Sequence, residues 1–90
     1  MWYNEIDIDW SKWSVHHIEK HHVEPYEVEQ VLLDNYLKID RTEKDRQILI
    51  GRSFSGRVLF IVISYPPEAK KIRVITARDV TKKELRRYKR

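Results

Sequence analysis

The apolar run VLFIVI, at residues 58–63, constrains the fold most, because it offers no polar face to solvent. A strand with one wet face alternates apolar and polar residues, whereas a strand that is covered on both faces reads as a continuous apolar run. Six residues are also far fewer than the roughly 18 that a membrane-spanning helix needs. We therefore expect the central strand of a sheet, covered by helices on one side, and no membrane span.

The rest of the chain supplies further strands and three helices. Strands are predicted at residues 5–8, 36–40, 46–54, 58–65 and 72–77, and Ser55-Gly56 is predicted to form the hairpin turn before the central strand. Helices are predicted at residues 12–21, 25–33 and 81–88. Asp9 or Ser11 is expected to cap the first helix, and Trp13 is expected to lie in the core.

Composition indicates one globular domain, spanning residues 1–90. The chain has 41% apolar and 36% charged residues, which is typical of a folded domain, although 90 residues build only a thin core. No cysteine is present, so disulfides and thiolate metal sites are excluded. The acidic N-terminus lacks a signal-peptide pattern, and a cytoplasmic location is expected.

Charge is divided unequally along the chain. Residues 1–40 carry nine acidic and three basic residues, a net −6, whereas residues 41–90 carry fifteen basic and five acidic residues, a net +10. The last 21 residues alone hold ten basic residues against two acidic ones, a net +8. Such a concentration of cations favours a polyanionic partner, with a solvated charged surface as the alternative.

Four short motifs occur in a fixed order. They are KHHVEPYEV at 20–28, IGRSFSGRVL at 50–59, IRVITAR at 72–78 and ELRRY at 84–88. In this order and spacing they resemble the BrnT family, the ribonuclease toxins of type II toxin–antitoxin systems. Two positions depart from the family pattern, since His22 stands where the family has glycine and Thr76 where it has serine.

The resemblance implies an α+β fold that is RelE-like, with two N-terminal helices packed on a mostly antiparallel sheet of about four strands and a short C-terminal helix. It implies a metal-independent endoribonuclease with no cofactor. It also implies an RNA substrate and a cognate BrnA-like antitoxin with a DNA-binding domain. The protein would then contact DNA only indirectly, through that antitoxin. His21 occupies the position of the family's histidine.

Cleavage of RNA by its own 2′-hydroxyl needs an acid or base that titrates near neutrality and cations that stabilise the phosphorane. His21 is the candidate acid or base, and Arg57, Arg73 and Arg78 are the candidate charge stabilisers. Further RNA contacts are predicted for Lys20, Thr76, Lys82, Lys83, Arg86, Arg87 and Tyr88. Strict alternation would place Arg73 and Arg78 on opposite faces of their strand, unless the strand bulges or ends before Arg78.

Two other interpretations remain open. The histidines at positions 16, 17, 21 and 22 invite a metal site, but Ile18 occupies the place of the glutamate in an HExxH motif, so no native metal site is predicted. Alternatively, the chain is a catalytically silent module of the same fold that binds RNA or an antitoxin. His22 in the glycine position motivates this second hypothesis.

Overall fold

The computed structural model describes residues 7–33, 36–43, 46–65 and 71–88, and it is an α+β fold. Its elements, in chain order, are β1 (Asp7–Asp9), α1 (Lys12–Glu19), α2 (Pro25–Leu33), β2 (Tyr36–Glu43), β3 (Arg46–Arg52), β4 (Val58–Ser64), β5 (Lys71–Asp79) and α3 (Lys82–Tyr88). The α+β class predicted from the sequence is therefore confirmed.

The five strands form one sheet in the order β1-β5-β4-β3-β2. The four strands β2 to β5 pair antiparallel, and β1 adds to β5 in parallel at the edge. The apolar strand β4 lies in the middle, which confirms the prediction for residues 58–63. The edge strand begins at Asp7, and residues 5–6 of its predicted range lie outside the described residues.

The core lies between one face of the sheet and the first two helices. Helix α1 contacts β5, and α2 contacts β3 and β4. We call this face of the sheet the helix face and the other the open face. The buried residues of this cluster are Ile18, Val23, Val28, Val31, Leu32, Leu49, Leu59, Ile61, Ile63, Ile72, Val74 and Ala77. Burial of this apolar surface holds the layers together.

The ends of α1 follow from local chemistry. Ser11, rather than Asp9, is the N-cap, and its side chain accepts a hydrogen bond from the Ser14 N–H at 3.0 Å. The helix ends at Glu19, two residues earlier than predicted, because His22 adopts φ 60°. The His22 N–H donates to Glu19 O and the Val23 N–H to Ile18 O, which is the bonding pattern of a Schellman turn.

The prediction that Trp13 lies in the core is wrong. Its side chain is 62% exposed, whereas Ser14 and Ile18, one position further round the helix, are buried. The small Ser14 side chain faces the sheet, so the tryptophan is turned outward. Trp10 does pack against the core, and its indole N–H donates to Glu29 Oε2 at 2.9 Å.

Candidate functional site

An irregularity in β5 decides which face each of its arginines occupies. In the pairing with β4, Val62 faces Thr76 but the next residue, Ile63, faces Val74, so Ile75 is an extra residue. Such a bulge shifts the alternation of side chains by one position. Val74 and Ala77 consequently both lie on the helix face, where they are buried.

The same bulge places Arg73, Thr76 and Arg78 together on the open face. Their partners on β4 are Ser64, Val62 and Phe60, which alternate with the core residues of that strand. Strict alternation would have placed Arg73 and Arg78 on opposite faces. The bulge brings them to the same face, while β5 continues to Asp79. The alternation of residues in the sequence did not predict the bulge, because an extra residue does not change the types of residue that the strand contains.

Arg78 is fixed in orientation by three contacts. Its guanidinium carbon lies 4.2 Å from the centroid of the Phe60 ring, within the range of a cation–π interaction. Nη1 and Nη2 donate to the two carboxylate oxygens of Glu84 at 3.0 and 2.7 Å. Nη1 also donates to the Asp79 carbonyl at 3.2 Å. The planar guanidinium is thus aimed by strand β4 and helix α3 together.

Glu84 serves the helix as well as the arginine. Its carboxylate accepts from the Thr81 N–H at 2.9 Å, while the Thr81 hydroxyl accepts from the Glu84 N–H at 3.1 Å. This reciprocal pair is a capping box, and it starts α3 one residue after the predicted position. The bond from Arg78, together with the bonds from Thr81, lowers the pKa of the Glu84 carboxyl.

Arg57 lies immediately before β4 on the helix face, and it is bonded to three other segments, namely the turn after α1, helix α2 and the end of β5. Nε donates to Asp79 Oδ1 at 2.7 Å, and Nη1 donates to the His22 carbonyl at 2.7 Å. Nη1 also reaches Glu27, at 3.1 and 3.3 Å from its two carboxylate oxygens, and Nη2 donates to the His21 carbonyl at 3.3 Å. Arg57 therefore ties the turn between α1 and α2 to the end of β5.

Two carboxylates, those of Glu27 and Asp79, balance the positive charge of Arg57. Glu27 is buried, and it also accepts from the Glu24 N–H at 2.9 Å, as a capping-box glutamate of α2 does. Asp79 is mostly exposed, and the bond from Arg57 lowers the pKa of its carboxyl. Asp79 joins the two arginines, because its side chain accepts from Arg57 and its carbonyl from Arg78.

His21 is exposed in the turn after α1, and its ring belongs to a row of three. The indole of Trp13 stacks on the imidazole of His17 with centroids 5.0 Å apart and planes 8° apart. The His17 ring meets the His21 ring edge to face at 5.7 Å. We call Trp13, His17 and His21 the aromatic row. Arg57 reaches this row only through the backbone carbonyl of His21.

The predicted catalytic residues thus fall into two groups. Arg73 and Arg78 share the open face with Thr76, whereas Arg57 and His21 lie on the helix side of the sheet. Asp79, bonded to both Arg57 and Arg78, is where the groups meet. Arg73 is 54% exposed and lies 3.6 Å from Asp9, a loose ion pair at the edge of the sheet.

The predicted RNA contacts are mostly on the surface. Lys20, Lys82, Lys83 and Arg86 are exposed, and Thr76 is half-buried on the open face. Arg87 and Tyr88 belong to α3, but their side chains lie outside the described residues. Within the described ranges, no group of three or more histidine, aspartate or glutamate side chains is arranged to hold a metal ion.

Sequence reasoning missed the acidic residues and the ring that hold the arginines. Glu27, Asp79, Glu84 and Phe60 each contact Arg57 or Arg78. The pattern Thr81-x-x-Glu84 predicts a capping box and so provided a signal for the carboxylate beside Arg78. The Arg57–Glu27 contact spans 30 residues, and no local pattern indicates it.

Comparison with known families gives one result that covers most of the chain. Residues 10–84 match the family described as "Ribonuclease toxin, BrnT, of type II toxin-antitoxin system". The chain belongs to this family, which confirms the resemblance found in the four motifs. The family is one of ribonucleases, and its class implies an RNA target and an antitoxin partner.

No match to the chain is found among curated proteins or among solved structures. No helix in the described part of the chain is long and apolar enough to cross a membrane.

Proposed function

We propose that this protein is an endoribonuclease toxin with a RelE-like fold, which cleaves RNA by attack of a 2′-hydroxyl on the adjacent phosphorus. The observation that supports this most is the bulge in β5, which turns Arg73, Thr76 and Arg78 to the same face of the sheet. Two guanidiniums and a hydroxyl on one face suit a phosphate that becomes more negative in the transition state.

Arg78 is the proposed main stabiliser of the phosphorane. Its two bonds to Glu84 show that the guanidinium already presents two nitrogens side by side to a planar pair of oxygens. A phosphate offers the same pair of oxygens and competes with Glu84 for them. Arg73, whose ion pair is loose and exposed, adds charge nearby, and Thr76 donates its hydroxyl to the substrate.

His21 is the proposed acid or base, and Arg57 is a positioning residue. Arg57 acts through the carbonyls of His21 and His22, since its guanidinium is bonded to these and to two carboxylates. The substrate strand passes around the end of the sheet at Asp79, from the open face to the imidazole. Lys20, Lys82, Lys83 and Arg86 are the proposed phosphate contacts along this course, with Arg87 and Tyr88 at the end of α3.

This chemistry uses side chains of the protein, an imidazole, guanidiniums and a hydroxyl, so the proposed reaction needs no metal ion and no cofactor. A BrnA-like antitoxin, acting in the same cytoplasm, neutralises the toxin by covering the basic helix α3. The toxin associates with DNA only indirectly, through the DNA-binding domain of that antitoxin.

The test is induced expression, combined with cleavage of purified RNA in EDTA. Wild type should arrest growth and cleave RNA, and His21→Ala with Arg78→Lys should do neither. Lysine keeps the charge of Arg78 but lacks the paired donors. Lys71→Ala is the matched control, since it removes an exposed cation from the same strand.

Circular dichroism should show that all of these variants are folded. Unchanged cleavage in the folded double variant would overturn the assignment of the site. Cleavage by the wild type that disappears in EDTA would overturn the metal-free mechanism.

A second candidate function is a binding module that no longer cleaves. It is favoured by the positive φ of His22 in the glycine position and by the carboxylate partners of Arg57 and Arg78. Such a protein would bind RNA with a steep dependence on salt and leave it intact during prolonged incubation. Cleavage that increases in proportion to the concentration of purified protein would exclude it.

A further inference from the structure

Two rings of the aromatic row, those of Trp13 and His17, have no part in the proposed chemistry, although they lie in one row with His21. Trp13 begins it, 62% exposed, although tryptophan is the side chain whose burial would contribute most to a thin core. The helix buries Ser14 and Ile18 instead. Packing against the core therefore does not account for the tryptophan.

The row is also held in place. Trp13 lies flat on His17, with an interplanar angle of 8°, and His17 in turn meets the edge of His21. Trp13 and His17 are four positions apart on α1, a spacing that puts their side chains next to one another, and His21 follows four positions later in the turn after the helix. A ring that is fixed before binding loses little conformational entropy when a ligand stacks on it.

We propose that Trp13 is a stacking platform for an unpaired base of the RNA substrate. This rests on the proposed function, because the row ends at His21, the proposed acid or base. A base stacked on Trp13 lies two rings away from that imidazole, so it would hold the strand beside the phosphate to be cleaved. Every base has a flat face, so the contact is one to single strands and not to a particular sequence.

Charge around the row favours a nucleic acid over an apolar segment of a protein. Lys12 precedes Trp13 and Lys20 precedes His21, and both lysines are exposed, as is His16. An aromatic platform with cations at both ends matches a nucleotide, which offers a base to the ring and phosphates to the lysines. A base in a duplex has both faces covered, so the platform should distinguish single-stranded from double-stranded RNA.

The experiment measures binding of a single-stranded RNA oligonucleotide in which every 2′-hydroxyl is methylated. Methylation removes the attacking group, so binding is measured without cleavage. Trp13→Ala should weaken binding of the single strand by about five- to 150-fold, the range for the loss of one base stack. Binding of the matching duplex should stay within about twofold, a margin that lies below a single stacking contact.

Three controls separate stacking from other effects. Trp13→Phe keeps a flat ring and should restore most of the binding. Phe54→Ala removes another exposed aromatic, 67% exposed in the turn before β4, and should leave binding unchanged. Trp13→Ala should leave the slope of binding against salt concentration unchanged, whereas Lys20→Ala should lower it.

The outcomes distinguish this proposal from the proposed function. Normal binding by Trp13→Ala, or equal losses for single strand and duplex, would overturn the platform, even if unmodified RNA is cleaved. The predicted loss of binding, in a protein that leaves unmodified RNA intact, would support the platform and refute the nuclease. A Trp13→Ala variant that binds RNA normally but no longer binds its antitoxin would show that the row is a protein-docking surface, which also overturns the proposal.

Discussion

Replacing Arg57 by alanine should destabilise the protein by about 2–3 kcal/mol. The larger share comes from Glu27, whose side chain is only 11% exposed and would keep the Glu24 N–H as its described donor. Leaving a largely buried carboxylate short of a partner costs about 1–2 kcal/mol. The bond to Asp79, which is 67% exposed, adds less than about 1 kcal/mol. Water can replace the arginine at the carbonyls of His21 and His22, so their loss adds about a few tenths more.

The measurement is urea and thermal unfolding followed by circular dichroism. For a domain of this size, a loss of 2–3 kcal/mol lowers the melting temperature by about 10–20 °C. Arg52→Ala is the matched control, because this neighbouring arginine makes one exposed bond, to the Gly56 carbonyl at 3.0 Å. Its cost should stay below about 0.5 kcal/mol. In the Glu27→Gln background, Arg57→Ala should cost less than it does alone, because the buried charge has been removed.

A loss of less than about 0.5 kcal/mol for Arg57→Ala would refute this reasoning. It would mean that the bonds of Arg57 contribute almost nothing to the free energy of unfolding. A substrate could then displace these bonds and bind the guanidinium at little cost in free energy. Arg57 would then again be a candidate charge stabiliser, a role that its bonds to two carboxylates and two backbone carbonyls argue against.

Three further predictions follow from local features of the fold. His22→Gly should raise the free energy of unfolding by up to about 1 kcal/mol in urea titrations, because glycine adopts φ 60° without the steric cost that histidine meets there. Thr81→Ala should cost about 1 kcal/mol and reduce the protection of α3 amides in hydrogen exchange, since the cap on the Glu84 N–H is lost. Acidification should destabilise the protein, because Arg57 lowers the pKa of Asp79 and Arg78 lowers that of Glu84. Their contribution to stability is complete above the unfolded pKa values of about 4 and disappears as the pH falls through the lower folded values. Urea midpoints measured from neutral pH downward would show this loss.

Local patterns were sufficient for much of the fold. Helix α2 begins at Pro25 and ends at Leu33, as predicted, because proline is favoured at the first turn and Val28, Val31 and Leu32 mark a buried stripe. The central position of β4 followed from its two apolar faces. These features depend on neighbours in the sequence, and the sequence contains them directly.

Features that depend on distant residues were not predictable in this way. The orientation of Trp13 depends on how closely α1 approaches β5, and periodicity could not separate the stripe of Trp13 from that of Ser14. The carboxylates that hold Arg57 come from α2 and from the end of β5. Sequence motifs therefore supplied candidate residues for the site but did not show which of them would be neighbours.

The extra residue in β5 has a consequence for how this chain tolerates change during evolution. Deletion of the Ile75 codon would remove the extra residue, and strict alternation would then keep Val74 and Ala77 on the helix face and the arginines of the strand on the open face. Strand β4 pairs with β3 without an extra residue, so deletion of one codon within β4 would turn the residues beyond it to the wrong face. Single-codon deletions should therefore be tolerated better near Ile75 than in β4, and a deletion scan that measures the yield of folded protein would show this difference.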